Sequence, residues 1–209
     1  MKYYHIFFDA DSTLVTIEGI DVLANGNPEI AALTDAAMNG EIPLDDVYGK
    51  RLDIIRPTRT AVEELGATYV RSVVDGAKET IGALQRDGAV VYIITAGIEQ
   101  AILPLARTLG IPERNIRAVS LRFDANGAYE DFDRRSFLTR AGGKELVVRD
   151  IRARSHGNAA FIGDGVSDLE ARPAVDLFIG FGGVVVRPRV KENADRFVTN
   201  FRDILPLLQ

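Results

Sequence analysis

Two carboxylates, Asp9 and Asp11, stand two residues apart near the start of the sequence in the string IFFDADST. Side chains of an extended segment alternate, so both point to the same side. Such a pair suits either a metal site or one nucleophile with one general acid and base. Alone it is a weak sign, because most such strings are solvated loop acids. Three further groups carry chemistry. Thr95 precedes Ala96-Gly97 and the start of a helical pattern, where its hydroxyl and free backbone N–H groups could hold a phosphate, although threonine is also a common helix cap. Lys144 follows Gly142 and Gly143 at another helix start, where a lysine opposes the helix dipole at a cost of roughly a few tenths of a kcal/mol unless something negative is near. The two glycines let the backbone adopt unusual dihedrals and approach a ligand. Last comes GDGVSD, Gly163 to Asp168. Asp164 and Asp168 are four residues apart, so both face one cavity across a helical turn, and glycine-flanked acids suit a hard cation such as Mg²⁺.

Each group falls where a strand should end. Tyr3 to Phe8 is a short apolar run rich in aromatic and β-branched residues, which predicts a buried strand delivering Asp9 to a sheet edge. From Asp75-Gly76 onward, helices and strands alternate: helix 78–85, strand 89–94, helix 98–109, an extended segment 116–121, helix 144–154, strand 159–162, helix 167–172, strand 175–179 and a closing helix 201–208. Asn126-Gly127, between two β-prone arms in 123–132, predicts a hairpin that breaks the rhythm. An α/β fold with a parallel sheet follows, with its ligand at the carboxyl ends of the strands.

The stretch from about 16 to 66 is helical in pattern and interrupts the sheet after its first strand. It is expected to form a small cap domain over the strand ends, leaving 1–15 and 67–209 as the core. Asn27-Pro28 reads as a helix start and Asn39-Gly40 as its end; a second helix runs from about Pro43 to Ile55. On its wheel, Leu44, Val47, Tyr48, Leu52, Ile54 and Ile55 share the apolar face, with Arg51 in their midst. That arginine either snorkels outward or turns its guanidinium inward to an anion, above Asp9.

Composition narrows the class. The chain has 209 residues, no cysteine and a formal charge of -5, so disulfides, thiolate metal sites and a cysteine nucleophile are excluded. The acidic balance argues against nucleic acid as a partner, and no apolar run is long enough to span a membrane. The opening residues lack the pattern of a secretory signal, which gives a cytoplasmic expectation.

The four motifs, in this order, resemble those of the haloacid dehalogenase (HAD) superfamily of phosphotransferases. The segments IEGIDVLA, AAMNGEIPL, KRLDIIRPTR and FIGFGGVVVRPRVKENADRFVTNF narrow the resemblance to its phosphoserine phosphatase family. It implies a Rossmann-like core with a helical cap and Mg²⁺-dependent hydrolysis of O-phospho-L-serine. By the same resemblance, Asp9 is the nucleophile that becomes an aspartyl-phosphate, and Asp11 the acid and base. Mg²⁺ would be held by the Asp9 carboxylate, the Asp11 carbonyl and Asp164, with Asp168 acting through water or Lys144. Thr95, Ala96, Gly97 and Ser167 would meet the phosphate, Glu18 the substrate ammonium and Arg51 its carboxylate, with Met38 lining the pocket. Leu44 stands where relatives often carry phenylalanine. Ala96 replaces a usual glycine, and its Cβ would hinder a left-handed backbone there. The alternatives are another small phosphomonoester as substrate, a phosphomutase, or a non-catalytic binding protein; the oligomeric state is left open.

Overall fold

The structure, a computed structural model, describes residues 2–209. In chain order its elements are β1 (His5–Phe8), α1 (Gly19–Leu23), α2 (Pro28–Met38), α3 (Leu44–Ile55), α4 (Arg59–Arg71), α5 (Ala77–Arg86), β2 (Val90–Ile98), α6 (Glu99–Thr108), β3 (Ile116–Val119), β4 (Leu121–Phe123), β5 (Tyr129–Phe132), α7 (Gly143–Arg152), β6 (Ala159–Gly163), α8 (Val166–Leu169), β7 (Leu177–Phe181), α9 (Pro188–Asn193), β8 (Arg196–Val198) and α10 (Ile204–Leu208). Six strands form one parallel sheet in the order β3-β2-β1-β6-β7-β8. From β1 the chain first builds outward through β2 and β3, then returns to add β6, β7 and β8 on the other flank. The reversal falls between β1 and β6, and that crevice is where an open parallel sheet holds its ligand.

Every residue of β1, β6 and β7 is buried. Successive side chains point to opposite faces, so both faces of the sheet centre are covered, which is why these strands are apolar without alternation. Phe7, Phe161 and Phe178 pair in register and stack at 6.3 and 6.2 Å between centroids. On the opposite face Phe8 packs on Phe201 at 5.6 Å. The two faces hold β1 and β6 rigidly at the crevice.

Between β1 and α5 the chain leaves the sheet and comes back to the same place. Val15 bridges Val73, Thr16 N–H donates to Ser72 O at 2.9 Å, and Val74 N–H to Leu14 O at 2.9 Å. The helices between these paired crossings bury Val47, Tyr48, Arg51 and Leu52 from α3. Ile54 does not follow the expected apolar face. It is 47% exposed, in the last turn before the chain exits through Arg56 in a left-handed conformation. The Asn126-Gly127 hairpin is present as the antiparallel pair β4-β5, apart from the main sheet. It braces the helical segment: Phe132 meets Tyr48 edge-on at 5.1 Å, and Gly127 O accepts from Arg59 N–H at 2.8 Å.

The alternation of strands and helices stands where the sequence pattern puts it, with local corrections. β7 begins at Leu177 rather than Val175, α8 is a single turn followed by a 3-10 turn, and α10 is preceded by another. α1, α9, β8 and the far end of α4 lay outside the sequence reading, being short or weakly patterned. No helix among the described residues is long and apolar enough to cross a membrane.

The glycines before Lys144 serve the fold in different ways. Gly142 sits at φ 70° and caps α7, whereas Gly143 is pressed against its own chain, since a Cβ there would lie 1.8 Å from Phe137 O. The approach is to backbone, not to a ligand as the sequence reading had it. Gly143→Ala is therefore expected to cost about 3 kcal/mol of stability in urea unfolding, and to impair activity by displacing Lys144.

Candidate active site

Asp9 follows β1 directly, its N–H donating to Ile162 O of β6 at 3.0 Å, so its carboxylate emerges at the crevice. Lys144, in the first turn of α7, is buried and reaches two carboxylates: its Nζ lies 2.8 Å from Asp9 Oδ1 and 2.5 Å from Asp168 Oδ1. The contact to Asp9 is an ion pair off the axis of a hydrogen bond, and Asp9 Oδ1 accepts no hydrogen bond. Asp168 Oδ2 accepts from Gly165 N–H at 2.9 Å. Asp164, at the end of β6, takes the Thr13 hydroxyl at 3.0 Å and Arg187 Nε at 3.2 Å. Asp9, Asp164 and Asp168 each bring an oxygen within 4.8 Å of the others. The Asp11 carboxylate is outside this group; its Oδ1 accepts from Gly19 N–H at 2.8 Å and from the Tyr69 hydroxyl at 2.7 Å.

These groups line or underlie a cavity of about 80 Å³ between the strand ends and the helical segment. Asp9, Asp11, Glu18, Met38, Arg51, Thr95, Ala96, Gly97, Lys144 and Ser167 all line it. Thr95 and Gly97 belong to β2, which continues to Ile98, so Thr95 is not the cap of α6; Ile98 is. Thr95 Oγ1 accepts from Gly97 N–H at 3.0 Å, which leaves its own proton free for a ligand. Ala96 brings none of the expected backbone strain, because residues 95–97 have negative φ, and its carbonyl takes the Tyr48 hydroxyl at 2.9 Å. Arg51 turns inward: it is 6% exposed, one NH donates to Thr34 Oγ1 at 3.1 Å, and Nε has no partner. Glu18 accepts from Ser12 Oγ at 2.6 Å, with Ser12 at φ 50° to turn the loop.

Charge balance decides what the site wants. Five carboxyls, Asp9, Asp11, Glu18, Asp164 and Asp168, face three cations, Lys144, Arg187 and Arg51, so acidic groups outnumber basic ones by two. Burial, followed by the charge of Asp9, pushes Asp11 up to about 6, Asp164 up to about 7 and Asp168 up to about 8. Burial and the charges of Asp11 and Asp164 push Glu18 well up. Burial alone would lower Lys144, but Asp168 and Asp9 outweigh it and keep the ammonium charged. Three carboxyls from separate elements that bring an oxygen each to one spot form an all-oxygen donor set that fits a hard divalent metal ion at Asp9, Asp164 and Asp168.

The sequence reading did not find Arg187, Tyr69, Tyr48 or Ser12. Arg187 is buried and spans the site, with Asp164 below it, Asn39 Oδ1 at 3.1 Å and Glu18 Oε1 at 3.9 Å. Ser12 lies inside the IFFDADST motif, Tyr48 reads only as part of an apolar helix face and Arg187 falls in the FGGVVVRPRV run, whereas no local pattern marks Tyr69.

The raised carboxyl pKa values predict how stability depends on metal and pH. A carboxyl whose folded pKa exceeds its unfolded value adds stability below about pH 4 and loses it as pH rises through about 6 to 8. A divalent cation binds the ionised form, so the gain in melting temperature over EDTA is expected to grow from about pH 5 to about pH 8. Thermal unfolding in paired buffers checks this; a gain independent of pH would refute the raised carboxyl pKa values.

The model of the haloacid dehalogenase-like hydrolase family matches residues 6–171. Phosphoserine phosphatase of Mus musculus is 36% identical over 208 residues, spanning 98% of this chain and 92% of that one. The Drosophila melanogaster enzyme of the same name is 38% identical over 205 residues, spanning 96% and 76%. A phosphoserine phosphatase solved as an analogue of its phospho-aspartyl intermediate superposes with a TM-score of 0.85 at 26% identity, both chains being covered completely. With a paired Asp9 and Asp11, a buried lysine and an acidic cluster at the crevice, the chain is a phosphatase and belongs to the haloacid dehalogenase-like hydrolase family.

Proposed function

We propose that the chain hydrolyses O-phospho-L-serine to L-serine and phosphate, with Asp9 as nucleophile and Mg²⁺ as its metal. The observation that carries the reading is a cavity lined by Asp9, Asp11, Thr95 and Lys144 and also by a buried guanidinium, Arg51. Free amino-acid head groups carry a carboxylate and an ammonium. Arg51, its Nε without a partner, suits the first. Glu18, whose charge burial disfavours, suits the second, because an ammonium restores the carboxylate. The similarity to phosphoserine phosphatases over nearly the whole chain supports the same substrate.

Asp9 attacks phosphorus while Asp11 protonates the departing serine oxygen; Asp11 then takes a proton from the water that hydrolyses the aspartyl-phosphate. Lys144 stands against Asp9 and lessens the repulsion between carboxylate and phosphate. The free proton of Thr95 and the N–H groups around Ala96 and Gly97 receive phosphate oxygens, with Ser167 beside them. Mg²⁺ would be held among Asp9, Asp164 and Asp168, with the Asp11 carbonyl as a further ligand and Lys144 keeping Asp168 in place, and it would supply positive charge to the phosphate. In this proposal residues 16–66 are the cap that excludes water, with Met38 in its wall.

Phosphate release from a panel of esters, with Mg²⁺ and with EDTA, tests the reading. L-Phosphoserine is expected to exceed phosphoethanolamine, which lacks the carboxylate, by at least about tenfold in kcat/KM. Arg51→Ala is expected to lower kcat/KM for phosphoserine by about 100-fold while changing p-nitrophenyl phosphate hydrolysis far less. Equal losses on both substrates would remove the carboxylate role from Arg51.

A further inference from the structure

Asp11 is gripped at one oxygen only. Gly19 N–H and the Tyr69 hydroxyl both donate to Oδ1, at 2.8 and 2.7 Å. Oδ2 has neither donor and lies toward the end of β2, where a Cβ built on Gly97 would be 3.3 Å from it and 3.2 Å from Thr95 Oγ1. The two oxygens are therefore not equivalent. Oδ1 is held by two donors, and Oδ2 is left toward the end of β2.

Tyr69 comes from the body of α4, remote in sequence from all four chemical motifs. Its side chain is 1% exposed and its hydroxyl sits hard over Gly19, where a Cβ would be 2.0 Å away. Glycine at position 19 thus makes room for the hydroxyl and turns its own N–H onto the same oxygen. A buried tyrosine hydroxyl satisfied by any available acceptor would be unremarkable; here the acceptor is the carboxyl whose proton must be aimed.

We propose that Tyr69 is a positioning residue for proton transfer, holding Asp11 so that Oδ2 carries the proton and faces the scissile ester bond. The inference rests on the reading of Asp11 as acid and base given above. As the bond from an Asp9 oxygen to phosphorus forms and the bond from phosphorus to the serine oxygen breaks, the Oδ2 proton passes to that serine oxygen. In the second half-reaction Oδ2 takes a proton back from water as the water oxygen joins phosphorus and Asp9 departs.

Tyr69→Phe keeps the ring and removes only the hydroxyl. Serine is a poor leaving group and needs the proton, whereas p-nitrophenolate leaves without one. In single-turnover measurements with bound metal, serine release from phosphoserine is expected to slow by about tenfold, while the first burst of p-nitrophenolate slows within about threefold. The burst also shows that the variant is folded. Equal slowing of both, or no change in either, would overturn the positioning role. Wild-type enzyme that releases p-nitrophenolate but not serine would instead overturn the substrate reading on which the inference rests.

Discussion

The ion pair of Lys144 with Asp9 and Asp168 is the constraint around which the site is built. A buried ammonium is expensive to desolvate, and removing one partner of such a pair typically costs about 3–5 kcal/mol. The lysine therefore has to sit where two carboxylates from separate elements converge. Asp9 comes from β1 and Asp168 from α8, so the pair ties the centre of the sheet to a single helical turn and to α7. The backbone contact of Gly143 with Phe137, and the αL cap at Gly142, place the start of α7 closely enough for this to happen.

A second tier of charges links the strand ends to the helices above them. Arg187 reaches Asp164 in the core, Asn39 at the end of α2, and stands near Glu18. Tyr48 of α3 holds the carbonyl of Ala96 in β2. Both contacts run from a helix or loop to the groups that would surround a phosphate, so the cavity walls are joined by polar bonds rather than by apolar packing alone. Such bonds are directional, and they fix the cavity's width as well as closing it.

Much of this was legible in the sequence, for a physical reason. Strands buried on both faces read as unbroken apolar runs, and polar groups that follow such a run stand out at the sheet edge, as Asp9 does after β1 and Asp164 after β6, while Thr95 stands out as a polar residue late in β2. Arg51 was visible as a charge on an apolar helix face. What stayed hidden are residues whose role depends on a distant partner. Tyr69 pairs with an acid 58 residues away and Arg187 with one 23 away, and neither pairing shows as a local pattern. Turn geometry misled in places as well. The Thr95-Ala96-Gly97 string reads as a helix start but remains strand, so alanine is tolerated where a left-handed turn would have refused it.

The paired crossings at 14–16 and 72–74 have a topological meaning. Because the chain departs and returns side by side, everything between forms one contiguous insert whose ends are already joined by backbone hydrogen bonds. With its ends joined, the insert meets the main sheet through side chains such as Tyr48, which holds Ala96 O, rather than through strand pairing. Tyr69 lies inside that insert yet touches Asp11. In the mechanism proposed above, the segment that walls the pocket thus also holds the acid, coupling two properties that the sheet alone would keep apart.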